Sequence, residues 1–160
     1  MAFKTNVMRI LDKVKADYKV YSYVDSGAIS GVEVASVLHQ NPEQVFKTLV
    51  TKGKSGNYFV FMIPVAEELD LKKAAASVSE KSVEMIKQKD LLKITGYIHG
   101  GCSPIGMKKQ FVTTIHSTAK DFDTVIFSAG KIGWQVEMSL ETLQEFISCN
   151  LADIIVVQSY

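Results

Sequence analysis

The chain has 160 residues, 47% of them apolar and 22% charged, which suits a soluble domain with one sizeable core and leaves no run near the roughly 18 apolar residues of a membrane helix. Its net charge of +1 excludes the broad basic field that autonomous tight capture of nucleic acid requires, so such a partner must meet a local patch or be delivered by another protein. Two distant cysteines, Cys102 and Cys149, with no Cys-x-x-Cys spacing, indicate neither a disulfide framework nor a structural zinc.

The amino terminus has no apolar signal core, which makes a cytoplasmic protein the expectation. Val7, Ile10, Leu11 and Val14 recur at helical spacing over residues 5–16, with Thr5 as N-cap. Residues 19–24 read as a strand. Ser30-Gly31-Val32-Glu33 has the spacing of a capping box ahead of Val34, Val37 and Leu38, predicting a second helix that ends near His39. Asn41-Pro42 then opens a short helical turn.

Two strands follow, over 45–52 and 58–64, about a Gly53-Lys54-Ser55-Gly56-Asn57 hairpin turn. Residues 70–77 and 82–94 read as helical in part, with Val83-Glu84-Met85 also compatible with a short strand. Further strands are predicted over 96–99, 112–115, 124–128 and 134–138, and Ser139 caps a last helix that turns Leu140, Leu143, Phe146 and Ile147 inward. Residues 154–157 add a final strand. About seven strands interleaved with short helices, several joined by hairpins, predict a single α/β domain of α+β character over residues 1–160 with a mixed sheet.

Two features exceed what packing needs. Gly96-Tyr97-Ile98-His99-Gly100-Gly101-Cys102-Ser103-Pro104-Ile105-Gly106 joins an apolar segment to a glycine-rich loop that lets a ligand approach main-chain N–H groups. Lys47 stands in an apolar strand on the face of Val45 and Leu49, opposite Phe46, Thr48 and Val50, where an unpaired ammonium is costly. It is either a functional lysine or one that snorkels or meets a structural carboxylate. Ser103 lacks a Gly-x-Ser-x-Gly elbow, and Cys102 lacks an assigned histidine and carboxylate, so neither makes a triad. Pro104 fixes the loop beside the Gly100, Gly101 and Cys102 amides. The histidines are too scattered for a metal site. Ser128-Ala129-Gly130 reads equally as a pocket floor or as a tight turn into Trp134, and Lys52, Lys54, Lys108 and Lys109 offer a modest basic rim, although such a run by itself is usually only a solvated surface.

Taken together, Gln44-Val45-Phe46-Lys47-Thr48-Leu49-Val50, Glu68-Leu69-Asp70-Leu71-Lys72-Lys73, the Gly96 to Gly106 segment and the stretch from Asp123 to Gly133 resemble the YbaK/EbsC family of free-standing aminoacyl-tRNA deacylases. That family is related to the editing domain of bacterial prolyl-tRNA synthetases, and the resemblance covers nearly the whole chain. It implies a curved mixed sheet with flanking helices, no cofactor, and hydrolytic clearing of mischarged tRNA, most characteristically Cys-tRNA(Pro). A second site is needed because two small side chains differ by only about 1 to 3 kcal/mol in an apolar pocket.

By resemblance, the substrate's own thiol attacks the ester carbonyl and leaves a thiolactone, so the protein supplies no nucleophile. Lys47 matches the family's essential lysine, which orients the aminoacylated 3′ adenosine. Gly101 and its neighbouring amides match an oxyanion-type site. Ser128 and Ala129 border the aminoacyl pocket, Tyr21 (or, in another register, Tyr23) is the amino-terminal tyrosine, and Thr48, Tyr97, Gly100, Cys102, Ser103 and Pro104 complete the binding set. Gln135 departs from the family, which often has an acidic residue there, and Cys102 replaces a common aliphatic one. The implied partners are aminoacylated tRNA and prolyl-tRNA synthetase, with no membrane and no DNA. The alternatives are a water-using deacylase for another small amino acid, such as Ala-tRNA(Pro), and a non-catalytic module that binds aminoacyl-tRNA or a synthetase.

Overall fold

Residues 3–157 are described by a computed structural model; Met1, Ala2 and residues 158–160 lie outside it. Helix α1 spans Asn6–Lys13, where the Thr5 hydroxyl accepts from the Met8 amide as the sequence predicts. It ends before Val14, which is exposed, and Val7, Met8 and Leu11 form its buried stripe. Strand β1 is Lys19–Ser22, shorter than expected because residues 24–26 turn away. Helix α2, Gly31–Val37, starts with the predicted capping box, in which Ser30 and Glu33 satisfy each other's backbone N–H.

Strands β2, Phe46–Gly53, and β3, Tyr58–Pro64, form the predicted hairpin, followed by α3, Leu71–Ser77, capped by Asp70. The segment 82–94 resolves into strand β4, Val83–Met85, a 3-10 turn and the short helix α4, Leu91–Thr95. The strand predicted over 96–99 does not form. Gly96, with φ of 89°, closes α4 in the left-handed conformation, and Tyr97 is anchored by its hydroxyl to the Ile105 carbonyl instead of by a strand partner. Strands β5, Val112–His116, β6, Val125–Ser128, and β7, Trp134–Met138, fall where expected, and α5, Leu140–Phe146, is capped by Ser139. The last strand, β8, is Cys149–Ala152, upstream of the expected 154–157, where only Ile155 makes a bridge, to Leu69.

The eight strands among the described residues form two sheets where one of about seven was expected. One is five-stranded and mixed, in the order β4-β2-β3-β5-β8, with parallel β3/β5 and β5/β8 pairs; the other is an antiparallel β1-β7-β6 ribbon. A parallel bridge between Val45 and Ile126 joins them. Beneath α2, Ala35, Val45, Val65 and Ile126 pack at that junction. Phe46, Val50, Val60 and Met62 on one face of the larger sheet meet α1 and Phe127, Val136 and Met138 of the ribbon, while Phe59, Phe61 and Ile63 on the other pack on α3.

The register of β2 decides what its edge can do. The Gly53 amide donates to the Asn57 carbonyl at 2.8 Å and the Val65 amide to the Val45 carbonyl at 2.9 Å. Antiparallel alternation between these points turns the backbone groups of Lys47, Leu49 and Thr51 toward β3 and those of Phe46, Thr48 and Val50 to the opposite edge. Strand β4 pairs with that edge from Thr51 to Gly53, and the Ile86 amide just after β4 donates to the Val50 carbonyl, which leaves the backbone groups of Phe46 and Thr48 uncovered. The half of β2 that carries Lys47 is therefore an edge, not the fully covered central strand its apolar sequence suggests.

Candidate functional site

The uncovered edge of β2, the amino end of α2, the loop after Tyr97 and the end of β6 surround a cavity of about 360 Å³, large enough for an amino acid and part of a nucleoside. Lys47, Thr48 and Leu49 form one wall, His99, Gly100 and Cys102 another, and Ser128 and Gln135 its floor, with Tyr23, Ile29 and Val32 at the side. Lys47 is half-buried and makes neither an ion pair nor a hydrogen bond among the described residues. Burial lowers its pKa, with Glu68 and then Glu67 opposing that shift from a distance. Thr48, beside it, has a buried hydroxyl with no partner among the described residues.

The glycine loop divides in two. Gly100, with φ of 87°, faces the cavity, but the Gly101 amide donates to the Ile98 carbonyl at 3.0 Å and so is occupied. Gly101 lies behind the wall. A β-carbon there would meet the Ile132 amide at 3.1 Å and Lys131 Cα at 3.3 Å, so its glycine serves close backbone packing. Of the loop residues that line the cavity, His99, Gly100 and Cys102 have backbone amides with no acceptor among the described residues.

The Cys102 thiol is buried and pushed up to about 12, chiefly by desolvation, so it stays protonated and is a poor nucleophile. Ser103 is fully buried and its hydroxyl accepts from the Ile105 amide; Pro104 is buried beside a smaller second cavity. Tyr97 and Ala129 are buried outside the lining, where they support the loop and the ribbon. Ser128 lines the cavity and accepts from the Gly130 amide at 3.1 Å, so both readings of that turn hold for it.

Tyr21 stands outside the lining, its hydroxyl donating to Glu137, and Tyr23 is the tyrosine at the cavity. Tyr21 lies within β1 opposite Gln135, whereas Tyr23 lies just past the end of β1, where the chain turns away, and the sequence alone does not show where the strand stops. Gln135 is buried at the floor, and its Oε1 accepts from Nε2 of Gln40 at 2.8 Å. Gln40 carries no motif, and only this contact reveals it. The lysines proposed as a basic rim lie elsewhere: Lys52 sits over the Tyr58 ring, Lys108 reaches the Lys93 carbonyl, and Lys109 lines the second cavity. Among the described residues no cluster of three His, Cys, Asp or Glu could hold a metal, and no helix is long and apolar enough to cross a membrane.

A model of the aminoacyl-tRNA editing domain family matches residues 27–146, which include every residue of this cavity except Tyr23. The chain is 44% identical over 152 residues to a protein of Enterococcus faecalis provisionally named the Cys-tRNA(Pro)/Cys-tRNA(Cys) deacylase EbsC, covering 94% of this chain and 93% of that one. It is 26% identical over 147 residues to the proline–tRNA ligase of Fervidobacterium nodosum, covering 92% of this chain but 25% of the ligase. A solved structure provisionally described as a trans-editing enzyme for prolyl tRNA synthetase superposes with a TM-score of 0.83 at 19% identity, over 98% of this chain and all of the other, which is a likeness of fold.

Proposed function

Because the chain belongs to the aminoacyl-tRNA editing domain family, we propose that it is a free-standing deacylase that removes cysteine from mischarged Cys-tRNA(Pro). The observation that carries this reading is a lysine with no partner among the described residues, in a cavity large enough for an amino acid and part of a nucleoside, whose cysteine is held protonated by burial. In an ester of cysteine the missing nucleophile is in the substrate. Its thiolate sulfur attacks the ester carbonyl carbon, a C–S bond forms as the ester C–O bond breaks, and the proton lost by the thiol ends on the departing ribose oxygen. The products are free tRNA and a cysteine thiolactone that water opens afterwards.

Each residue has a part in this scheme. The Lys47 ammonium, with no carboxylate in contact, is free to orient the 3′ adenosine and to stabilise the oxyanion. The Gly100 and Cys102 amides, in place of the occupied Gly101 amide, supply the second stabilising element. Thr48 contributes, on the uncovered strand edge, outward backbone groups that fit the polar atoms of the aminoacyl ester. Ser128 and Gln135 bound the end that receives the amino acid. Prolyl-tRNA synthetase is the proposed deliverer of the substrate, since the net charge of +1 provides little independent hold on tRNA.

Single-turnover deacylation of Cys-tRNA(Pro) by wild type and Lys47→Ala tests the assignment. The expected loss for the variant is about a hundredfold or more, the size of removing one transition-state donor. Hydrolysis of equal rate in both proteins, or in neither, would remove the lysine-based deacylase reading.

A further inference from the structure

Gln135 is held in one orientation by Gln40. The Gln40 amide is itself fixed, donating to the Ala35 carbonyl at 2.8 Å just after α2, and its side chain NH2 donates to Gln135 Oε1. Gln40 Oε1 is buried without a partner among the described residues. Turning both carboxamides over would instead bury the Gln40 NH2 without an acceptor, and an orphaned carbonyl is better tolerated than an orphaned N–H. With the oxygen turned to Gln40, the NH2 of Gln135 is the end of its carboxamide that has no partner among the described residues, and it is the end offered to the cavity that Gln135 lines.

The remaining charges leave that donor uncompensated. Lys47 on β2 is the cavity's lysine, and His99 lies on the opposite loop; no aspartate or glutamate lines it. Glu67 and Glu68 act on Lys47 from outside the lining. Glu137, two residues beyond Gln135 on the same face of β7, does not line the cavity, and its two oxygens accept from the Tyr21 and Thr124 hydroxyls. An α-ammonium placed at Gln135 meets a donor and a cationic wall. An uncharged α-amine, or a hydroxyl, meets a hydrogen-bond donor it can accept from.

We infer that Gln40 is a specificity-determining positioning residue, which through Gln135 makes the pocket select aminoacyl groups whose α-substituent is an uncharged hydrogen-bond acceptor. This rests on the cavity being the aminoacyl site. Free α-amines titrate at about 7.7–8.0, and an ester carbonyl beside the amine lowers that range, so the uncharged form is available near neutral pH.

Two unreactive probes separate the possibilities: 3′-amino-3′-deoxyadenosine acylated through an amide with alanine, and the same nucleoside acylated with lactic acid. Calorimetric binding at about pH 6.5, where the alanyl amine is largely an ammonium, compares charged with uncharged. Wild type is expected to bind the lactyl probe about tenfold more tightly. Gln135→Glu should reverse that order. Gln40→Glu, whose carboxylate only accepts and so turns the Gln135 oxygen toward the cavity, should abolish the preference while Gln135 stays in place. Gln40→Met, which keeps the bulk without a donor, should weaken it if the glutamate variant fails to fold. Equal or tighter binding of the alanyl probe by wild type, or an unchanged ratio in folded Gln40 variants, would overturn the inference and leave the deacylase reading standing. Binding of neither probe by wild type would overturn both.

Discussion

Cys102 sits in the wall of a cavity proposed for ester chemistry, yet burial pushes its thiol up to about 12, so almost none is thiolate at neutral pH. Cys102→Ala should therefore keep single-turnover deacylation within a few-fold of wild type, whereas a protein-nucleophile mechanism predicts its loss. Lys47 has the opposite profile, a reactive position maintained at a cost. Its pKa is lowered by burial from the ordinary lysine value of 10.5, so between the folded and unfolded values the unfolded chain binds more protons and stability rises with pH. Below that window the full penalty for the buried ammonium is present. Lys47→Met should accordingly raise stability near neutral pH by about 0.5 to 1 kcal/mol, with the gain shrinking as pH climbs toward 10.5, while activity is lost. Urea unfolding at several pH values measures it; a variant that is less stable at neutral pH would show the lysine to be a structural partner.

Helix α2 lines one side of the cavity and depends on its capping box for a clean start. Ser30→Ala removes the acceptor for the Glu33 amide and should cost about 1 kcal/mol in denaturant unfolding, with a raised KM as Ile29 and Val32 lose their placement. This helix was legible because its box lies within four consecutive residues, and the β2–β3 hairpin because its turn and its apolar strands are contiguous. Residues 96–99 were not legible as a loop: Tyr97 and Ile98 look like strand, and only the left-handed Gly96 and the distant Ile105 carbonyl decide otherwise. Strand β8 escaped for a related reason. Cys-Asn-Leu-Ala has no alternation of its own and is held by parallel pairing to β5, a partner more than thirty residues away. Within the site, Lys47 and the glycine loop stood out in the sequence, while the commitment of the Gly101 amide, the choice of Tyr23 and the role of Gln40 depend on hydrogen bonds and on where β1 ends, which no local pattern encodes.

At the scale of the molecule, the cavity exists because two sheets meet without merging. The Val45–Ile126 bridge joins them at one point, and beyond it the edge of β2 is left uncovered facing Gly100, Ser128 and Gln135. Ile126 is buried in the small cluster that closes this junction, so Ile126→Ala should cost about 2 to 5 kcal/mol. It should also raise KM more than it lowers kcat, because the walls part while the reacting groups remain. Equal stability of that variant in thermal unfolding would mean that the sheets are held together elsewhere. The mechanism itself is tested most directly by its chemical product. Cys-tRNA(Pro) and Ala-tRNA(Pro) would be incubated with the protein in single turnover and the released amino acid captured by a thiolactone-reactive trap. The account predicts trapped cysteine thiolactone and intact Ala-tRNA(Pro); release of both amino acids with no trapped thiolactone would contradict substrate-thiol attack and assign the reaction to water.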